Sequence, residues 1–320
     1  MAIVEQAEVG AAAVPPPAQV RPRRGRAFVS VLFEDKLSFV SALFLLIVVV
    51  SAVFAPWVAP HSPSLVELQD RLLPPVWEGG TWSNVLGTDA LGRDVLSRLI
   101  FGARNSLVIG VSVVALAGVF GTALGLIAGY RGGWVDTVIM RLADAQLAFP
   151  GLLLVIIVIG SLGPSVPVII VVVAVYGWMI YARLARGIVL QLREELYVRA
   201  AEMSGVRAGR LMRRHLLPNL VSPLMTQSML ELARVILVEA SLSYLGLGIQ
   251  PPEASWGLMV SENQTYLREG WWTVFFPGIV LALTVLAVNL ISSWLRVRSD
   301  PQQQQLLLAR RRIRNERRTR

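Results

Sequence analysis

Apolar residues in this chain are gathered into blocks about as long as a bilayer is thick. Crossing ~30 Å of hydrocarbon as a helix takes about 20 consecutive apolar residues. The first block, Leu37 to Ala59, carries no charge, and neither does the second, Asn105 to Gly129. A third extends from Val138 to Leu162, with Arg141 and Asp144 in its first turns and Pro150 inside. The fourth, Val166 to Tyr181, is short at its outer end, where Gly163-Pro164 marks a tight turn. Leu220 to Tyr244 and Thr273 to Leu295 bring the total to six. The pattern predicts an all-α integral membrane protein: a first helix over 37–59, a loop over 60–104, and a five-helix core over 105–295. That core contains a long polar loop over 183–219.

Composition changes the picture by exclusion. Of 320 residues, 54% are hydrophobic and 16% charged, with a mean hydropathy of +0.59. Soluble domains carry about 25% charged residues, so an ordinary globular enzyme is ruled out. There is no cysteine, hence no disulfide, thiol nucleophile or thiolate metal site. The two histidines, His61 and His215, cannot build a zinc site alone. His61 reads as a loop residue and His215 as part of a helix in the 183–219 loop. Lys36 is the one lysine, and it lies between Asp35 and Leu37. A phosphate-binding loop needs Gly-Lys-Ser/Thr. If ATP drives this protein, another polypeptide binds it.

The first block is longer than the roughly 7–15 apolar residues of a signal peptide. It also follows a leader, residues 1–36, that includes Glu5, Glu8, Glu34 and Asp35. It reads as a retained anchor. Within the leader, Ala11 to Arg26 is rich in Ala, Pro and Arg and is expected to be disordered.

Charge sets the direction of insertion. With both termini inside, 23 basic residues lie on the cytoplasmic side and five outside, namely Arg71, Arg93, Arg98, Arg104 and Arg268. Arg141 and Arg234 fall within spans. This is the positive-inside pattern and predicts a multi-pass protein of the cytoplasmic (inner) membrane with cytoplasmic N and C termini. Trp57, Trp134, Trp271, Trp272 and Trp294 fall at the expected interfaces. The basic tail, 296–320, reads as a topology anchor against anionic headgroups rather than a nucleic-acid arm.

The loop between spans four and five is the most informative segment. It reads as helix, small-residue break, helix, stop. Ala200 and Ala201 leave a side-chain-poor ridge that another surface can approach, Gly205 permits a helix C-terminal turn, and Pro218 starts the return to the membrane. A basic solvated loop is the bland alternative. The apolar residues Leu196, Val198, Leu211, Met212 and Leu216 favour a docked helical pair.

Here the residues resemble a family. Ala200-Ala201-x-x-x-Gly205, followed by Leu217-Pro218, looks like the EAA loop of ABC-importer permeases, and Arg214-His215-Leu216-Leu217-Pro218-Asn219 is the form of the peptide/nickel branch. The motif's leading glutamate is Arg199 here. Leu86-Gly87-Thr88-Asp89 through Leu99, and Glu239 through Gly248 with Pro251-Pro252 and Ser255-Trp256-Gly257, resemble segments of dipeptide/oligopeptide permease subunits. With Arg141-Leu142-Ala143-Asp144 and Phe149-Pro150, the resemblance covers about residues 37–298.

The resemblance implies a type I ABC importer permease fold, the C-type subunit of a peptide importer, forming half of a translocation pathway. It implies a coupling helix that docks an ATPase subunit through Tyr197, Arg199, Ala200, Ala201, Glu202, Met203, Ser204, Gly205, Val206, Arg207, His215 and Pro218. Implied partners are a homologous second permease, two ATPase subunits that bind ATP and Mg, and an extracytoplasmic substrate-binding protein. This chain itself would hold no cofactor and no metal and would not be an enzyme. Import of a nickel chelate or haem is the alternative within the class. An ion-coupled secondary transporter is the alternative outside it, and a membrane enzyme lacks any recognisable motif.

Three further features come from the residues themselves. Over Asp89–Gly102, Leu91, Val95, Leu96, Leu99 and Ile100 share one helical face, with Asp94 and Arg98 paired on the other. Such a helix would lie at the outer interface, as a docking or gating element with Asp89, Arg93, Asp94 and Arg98, or as a structural plug. Gly121-x-x-x-Gly125-x-x-x-Gly129 in span two reads as a packing stripe. Arg141–Asp144 and Glu231–Arg234 read as ion pairs within helices rather than a proton relay, which leaves Glu239 as a candidate facing the pathway.

Overall fold

The computed structural model describes residues 36–299. The leader through residue 35 and the tail from residue 300 lie outside the described residues. Within that range every regular element is helical, and besides four single-turn pieces these are α1 (Lys36–Val53), α2 (Val95–Arg131), α3 (Gly133–Leu147), α4 (Gly151–Leu162), α5 (Val166–Arg193), α6 (Leu196–Met203), α7 (Ala208–Tyr244), α8 (Trp256–Asn263) and α9 (Trp272–Ser299). Of these, α1, α2, α5, α7 and α9 are long and apolar enough to cross a membrane, and α3 with α4 make a sixth, bent span.

The bend corrects the expected third span. Pro150 offers no N–H and disfavours helical geometry at Phe149, so the helix stops at Leu147 and restarts at Gly151, turned by 87°. The fourth span departs in the other direction. No breaker follows Tyr181, so α5 continues to Arg193 and carries the first arginines of the polar loop. Arg183 bonds Asp144, and Arg186 donates to Asp136 at 2.5 and 2.6 Å, which ties α5 to α3. Asp144 is therefore held by Arg183 and not by Arg141.

The outer helix expected over 89–102 is not a separate element. From Val95 onward it forms the first turns of α2, a 37-residue helix that has no internal proline. Asp94 is spent on capping it, accepting from the Ser97 amide at 2.8 Å, so it does not pair with Arg98. These turns are buried rather than laid on an interface.

Further along, α2 packs along its length on α5 through the glycine stripe. A Cβ at Gly121 or Gly125 would sit 2.2 Å from the Trp178 or Ala182 carbonyl oxygen, and at Gly129 2.9 Å from Val189 Cβ. Hydrogen there is what lets the two backbones touch.

The predicted stop at Pro218 is replaced by continuity. A π-helical segment, Met212–Leu216, opens the hydrogen-bond ladder just where Pro218 contributes no N–H, and α7 runs on to Tyr244. Apolar packing is layered along the bundle. One end joins Val48, Val95, Leu99, Trp256, Met259 and Trp272; the middle joins Ile109, Val113, Ile159, Ile169, Val235 and Leu242. The arginine-rich end closes with Val189, Val198, Leu211, Leu216 and Leu220. Trp57 and Trp134 are exposed as interface anchors should be, but Trp272 is buried and donates from Nε1 to the Thr88 carbonyl at 3.0 Å.

Candidate functional site

The arginine-rich end presents α6 as a small two-sided helix. Val198 is fully buried (0% exposed) against Leu211, Leu216 and Leu220, with Ala201 and Val206 alongside. Its other side turns Leu196 and Met203 outward, each 84% exposed, with Tyr197, Arg199, Ala200 and Glu202 also exposed. Two large apolar side chains at the ends of a short helix, with alanine between them, form a saddle that none of the described residues covers.

The helix ends in a Schellman turn. The Gly205 amide donates to the Glu202 carbonyl at 2.9 Å and the Val206 amide to Ala201 at 3.2 Å, with Gly205 at φ +75°. Ser204 Oγ donates back to Ala200 at 2.8 Å. Arg199 bonds Glu194 at the preceding corner, so the charge that replaces the motif's glutamate is held within the chain. Asn219 reaches the His215 carbonyl at 2.6 Å; Pro218 is exposed beside it, and Arg207 is exposed before α7. The loop is a stiff, internally bonded block rather than a tether.

At the opposite end four charges close a buried network. Asp89 Oδ2 accepts from Arg93 Nε at 2.7 Å and from Arg98 Nη1 at 2.5 Å, and Glu262 Oε2 accepts from Arg93 Nη2 at 2.9 Å and from Arg98 Nη2 at 2.7 Å. Arg98 is 0% exposed. The network ties the 86–94 segment and α2 to α8. Nearby, the His61 amide donates to Ser97 Oγ at 3.0 Å, and its Nδ1 lies 4.0 Å from Asp94 Oδ2.

Residues 121–305 match the family described as the binding-protein-dependent transport system inner membrane component, and residues 25–75 match the N-terminal transmembrane domain of oligopeptide transport permease C. The di/tripeptide transport system permease protein DppC of Pseudomonas aeruginosa (strain UCBPP-PA14) is 42% identical over 287 residues, which cover 89% of this chain and 94% of that protein. The dipeptide transport system permease protein DppC of Alkalihalophilus pseudofirmus (strain ATCC BAA-2126 / JCM 17055 / OF4) is 39% identical over 84% of this chain and 87% of its own length. The probable D,D-dipeptide transport system permease protein DdpC of Escherichia coli (strain K12) is 37% identical over 88% and 95%.

The chain belongs to this family. It is a C-type permease with the type I importer permease fold, a multi-pass membrane protein that works in a binding-protein-dependent system.

Among the residues singled out from the permease's sequence, 197–207 gather on and around α6. His215 and Pro218 stand one element away, at the π segment and the start of the following α-helical stretch. Asp89, Arg93 and Arg98 come together, but Asp94 takes a capping role. Glu239 is closed off inside the chain rather than open to a cavity. It is buried, with Ser106 and Ser243 hydroxyls donating to its two oxygens at 2.7 Å each, so it fastens α7 to α2. Glu262 was missed. Its arginine partners lie 169 and 164 residues away, and no local spacing connects them.

Proposed function

We propose that this permease carries di- or oligopeptides inward as one half of an ATP-driven importer, with α6 as the element that docks an ATPase subunit. The exposed saddle of Leu196, Ala200 and Met203 on a helix braced from beneath by Val198 carries the docking reading. Force can pass through it because the Schellman turn and the Val198–Leu211–Leu216 cluster leave α6 little freedom to move alone. The peptide cargo is supported by the relatives named as dipeptide or di/tripeptide permeases.

On this reading the arginine-rich end faces the cytoplasm, the ATPase subunits bind ATP and Mg, a second, homologous permease completes the pathway, and a substrate-binding protein meets the end that contains the Asp89–Glu262 network. Ala200→Arg tests it. The new side chain points away from the chain's own core, so the variant should reach the membrane at normal levels yet lose ATPase co-purification and peptide uptake. Normal uptake at normal expression would remove α6 from the docking role.

A further inference from the structure

One face of α7 is polar where a membrane helix facing lipid would not be. Gln227, Leu230, Arg234, Leu237, Ser241 and Tyr244 follow one another at three- and four-residue steps, and each keeps some exposure to the outside of this chain. Arg234 stands ten residues from the Tyr244 end, which puts it near mid-membrane at about 1.5 Å per residue. Its side chain is 33% exposed while its partner Glu231 is buried beneath it. Nε and Nη2 both lie 2.7 Å from the same Glu231 oxygen, but only Nε has hydrogen-bond geometry, so Nη2 has no aligned acceptor. The guanidinium also lies 5.8 Å from the Tyr176 ring centroid on α5.

A second observation comes from a different element. The break between α3 and α4 passes close to the same spot: Gln146 donates to the Val175 carbonyl at 2.9 Å, and Gly151 abuts the Tyr176 ring so closely that a Cβ there would clash with it. Phe149 and Pro150 in the break are exposed. Non-helical backbone at membrane depth is tolerated where it meets protein or lines a water-filled path. A part-exposed guanidinium at the same depth has the same requirement.

We propose that this α7 face, together with the α3–α4 break, lines the aqueous translocation path, and that Arg234 is the residue there that receives the carboxylate of the passing cargo. Glu231 partly offsets the guanidinium charge at rest and fixes its orientation; Nη2 is itself buried, so a carboxylate arriving from the open side meets the third of the side chain that stays exposed. Such a site would be shallow, since the charge is already half compensated, and a transient site suits a path better than a trap. The carboxylate as cargo group rests on the peptide reading above; the water-lined face does not.

This chain has no cysteine, so an introduced thiol is the only one it contributes to the importer, and the importer without it serves as the blank. Leu237→Cys is placed in the assembled importer in liposomes and treated with anionic and cationic methanethiosulfonates. The thiol is expected to react with both, faster with the anion. Replacing Arg234 by Gln should lower the anion-to-cation rate ratio about tenfold, as expected for the loss of one unit charge about 6 Å away in a watery path, and adding Glu231→Gln, which removes the opposite charge, should restore part of the ratio. Arg234→Lys should keep the ratio. In parallel, Arg234→Gln should lower dialanine uptake several-fold while ATP hydrolysis stimulated by the binding protein persists, with Arg234→Lys restoring part of the uptake. An unreactive thiol would mean that lipid or the second permease covers this face, and a ratio unmoved by Arg234→Gln would remove Arg234 from the path. Either overturns the proposal. If the unaltered importer takes up no dialanine but the charge-dependent reactivity holds, the peptide reading fails and the lined path stands.

Discussion

Gly205 and Gly125 are both required, for opposite reasons. At Gly205 a Cβ would meet nothing within 4 Å, and the constraint is entirely the left-handed backbone at φ +75°. Gly205→Ala should cost about 1 kcal/mol and Gly205→Asn less, because asparagine tolerates that region. The order Gly, Asn, Ala, Val in detergent melting temperature would check this. At Gly125 φ is ordinary and the constraint is the Ala182 carbonyl 2.2 Å from any added Cβ. Gly125→Leu should therefore pry α2 from α5 and cost about 1–3 kcal/mol or more. Gly118→Ala, whose Cβ would be 3.4 Å from the Tyr181 ring, should be close to neutral. Fluorescence-detected gel filtration after heating would separate the two; equal losses would mean that the stripe does not set the α2–α5 distance.

At the scale of elements, the buried charges act as rivets between segments far apart in sequence. Asp89 receives both Arg93 and Arg98, so Asp89→Ala strands a fully buried guanidinium with only Glu262 left to it. Breaking a buried pair from one side costs about 3–5 kcal/mol, whereas replacing the whole set by apolar groups can be near neutral. Asp89→Ala should thus lower the melting temperature sharply. The quadruple variant Asp89→Leu, Arg93→Met, Arg98→Met, Glu262→Leu should recover much of the loss. If the quadruple variant is less stable than the single one, the network supplies more than packing. Glu239 follows the same logic on a smaller scale: its serine partners satisfy it, and α2 and α7 are fastened where a pathway group was expected.

For the molecule as a whole, the distribution of arginines and the two exposed ends make an orientation testable. Trp82 in the first loop and Leu196 on α6 are both highly exposed, at opposite ends of the bundle. In the cysteine-free chain, Trp82→Cys should react with an impermeant maleimide in intact spheroplasts, and Leu196→Cys only after permeabilisation. The reverse pattern would invert the topology and place α6 outside, where no ATPase could reach it.

What the sequence determined by itself is what depends on composition and short spacing. Apolar block length specified the spans, arginine asymmetry the expected orientation, and Ala200-Ala201-x-x-x-Gly205 the coupling-loop resemblance, because a helix and its Schellman turn are decided within ten residues. The glycine stripe was legible too, since a face without side chains can only be for close approach. Other features needed the tertiary structure. The Asp94–Arg98 spacing allowed a pair, but a helix start takes Asp94 as its cap, and Arg98 then answers to Glu262 on α8. Arg141 and Asp144 could have met, but α5 runs on far enough to bring Arg183 to Asp144. Glu239 looked free until α2 supplied Ser106. A charge in a membrane protein must be neutralised or hydrated, and sequence states that demand plainly. Which group meets it depends on which helices touch, and that is settled only when the whole bundle packs.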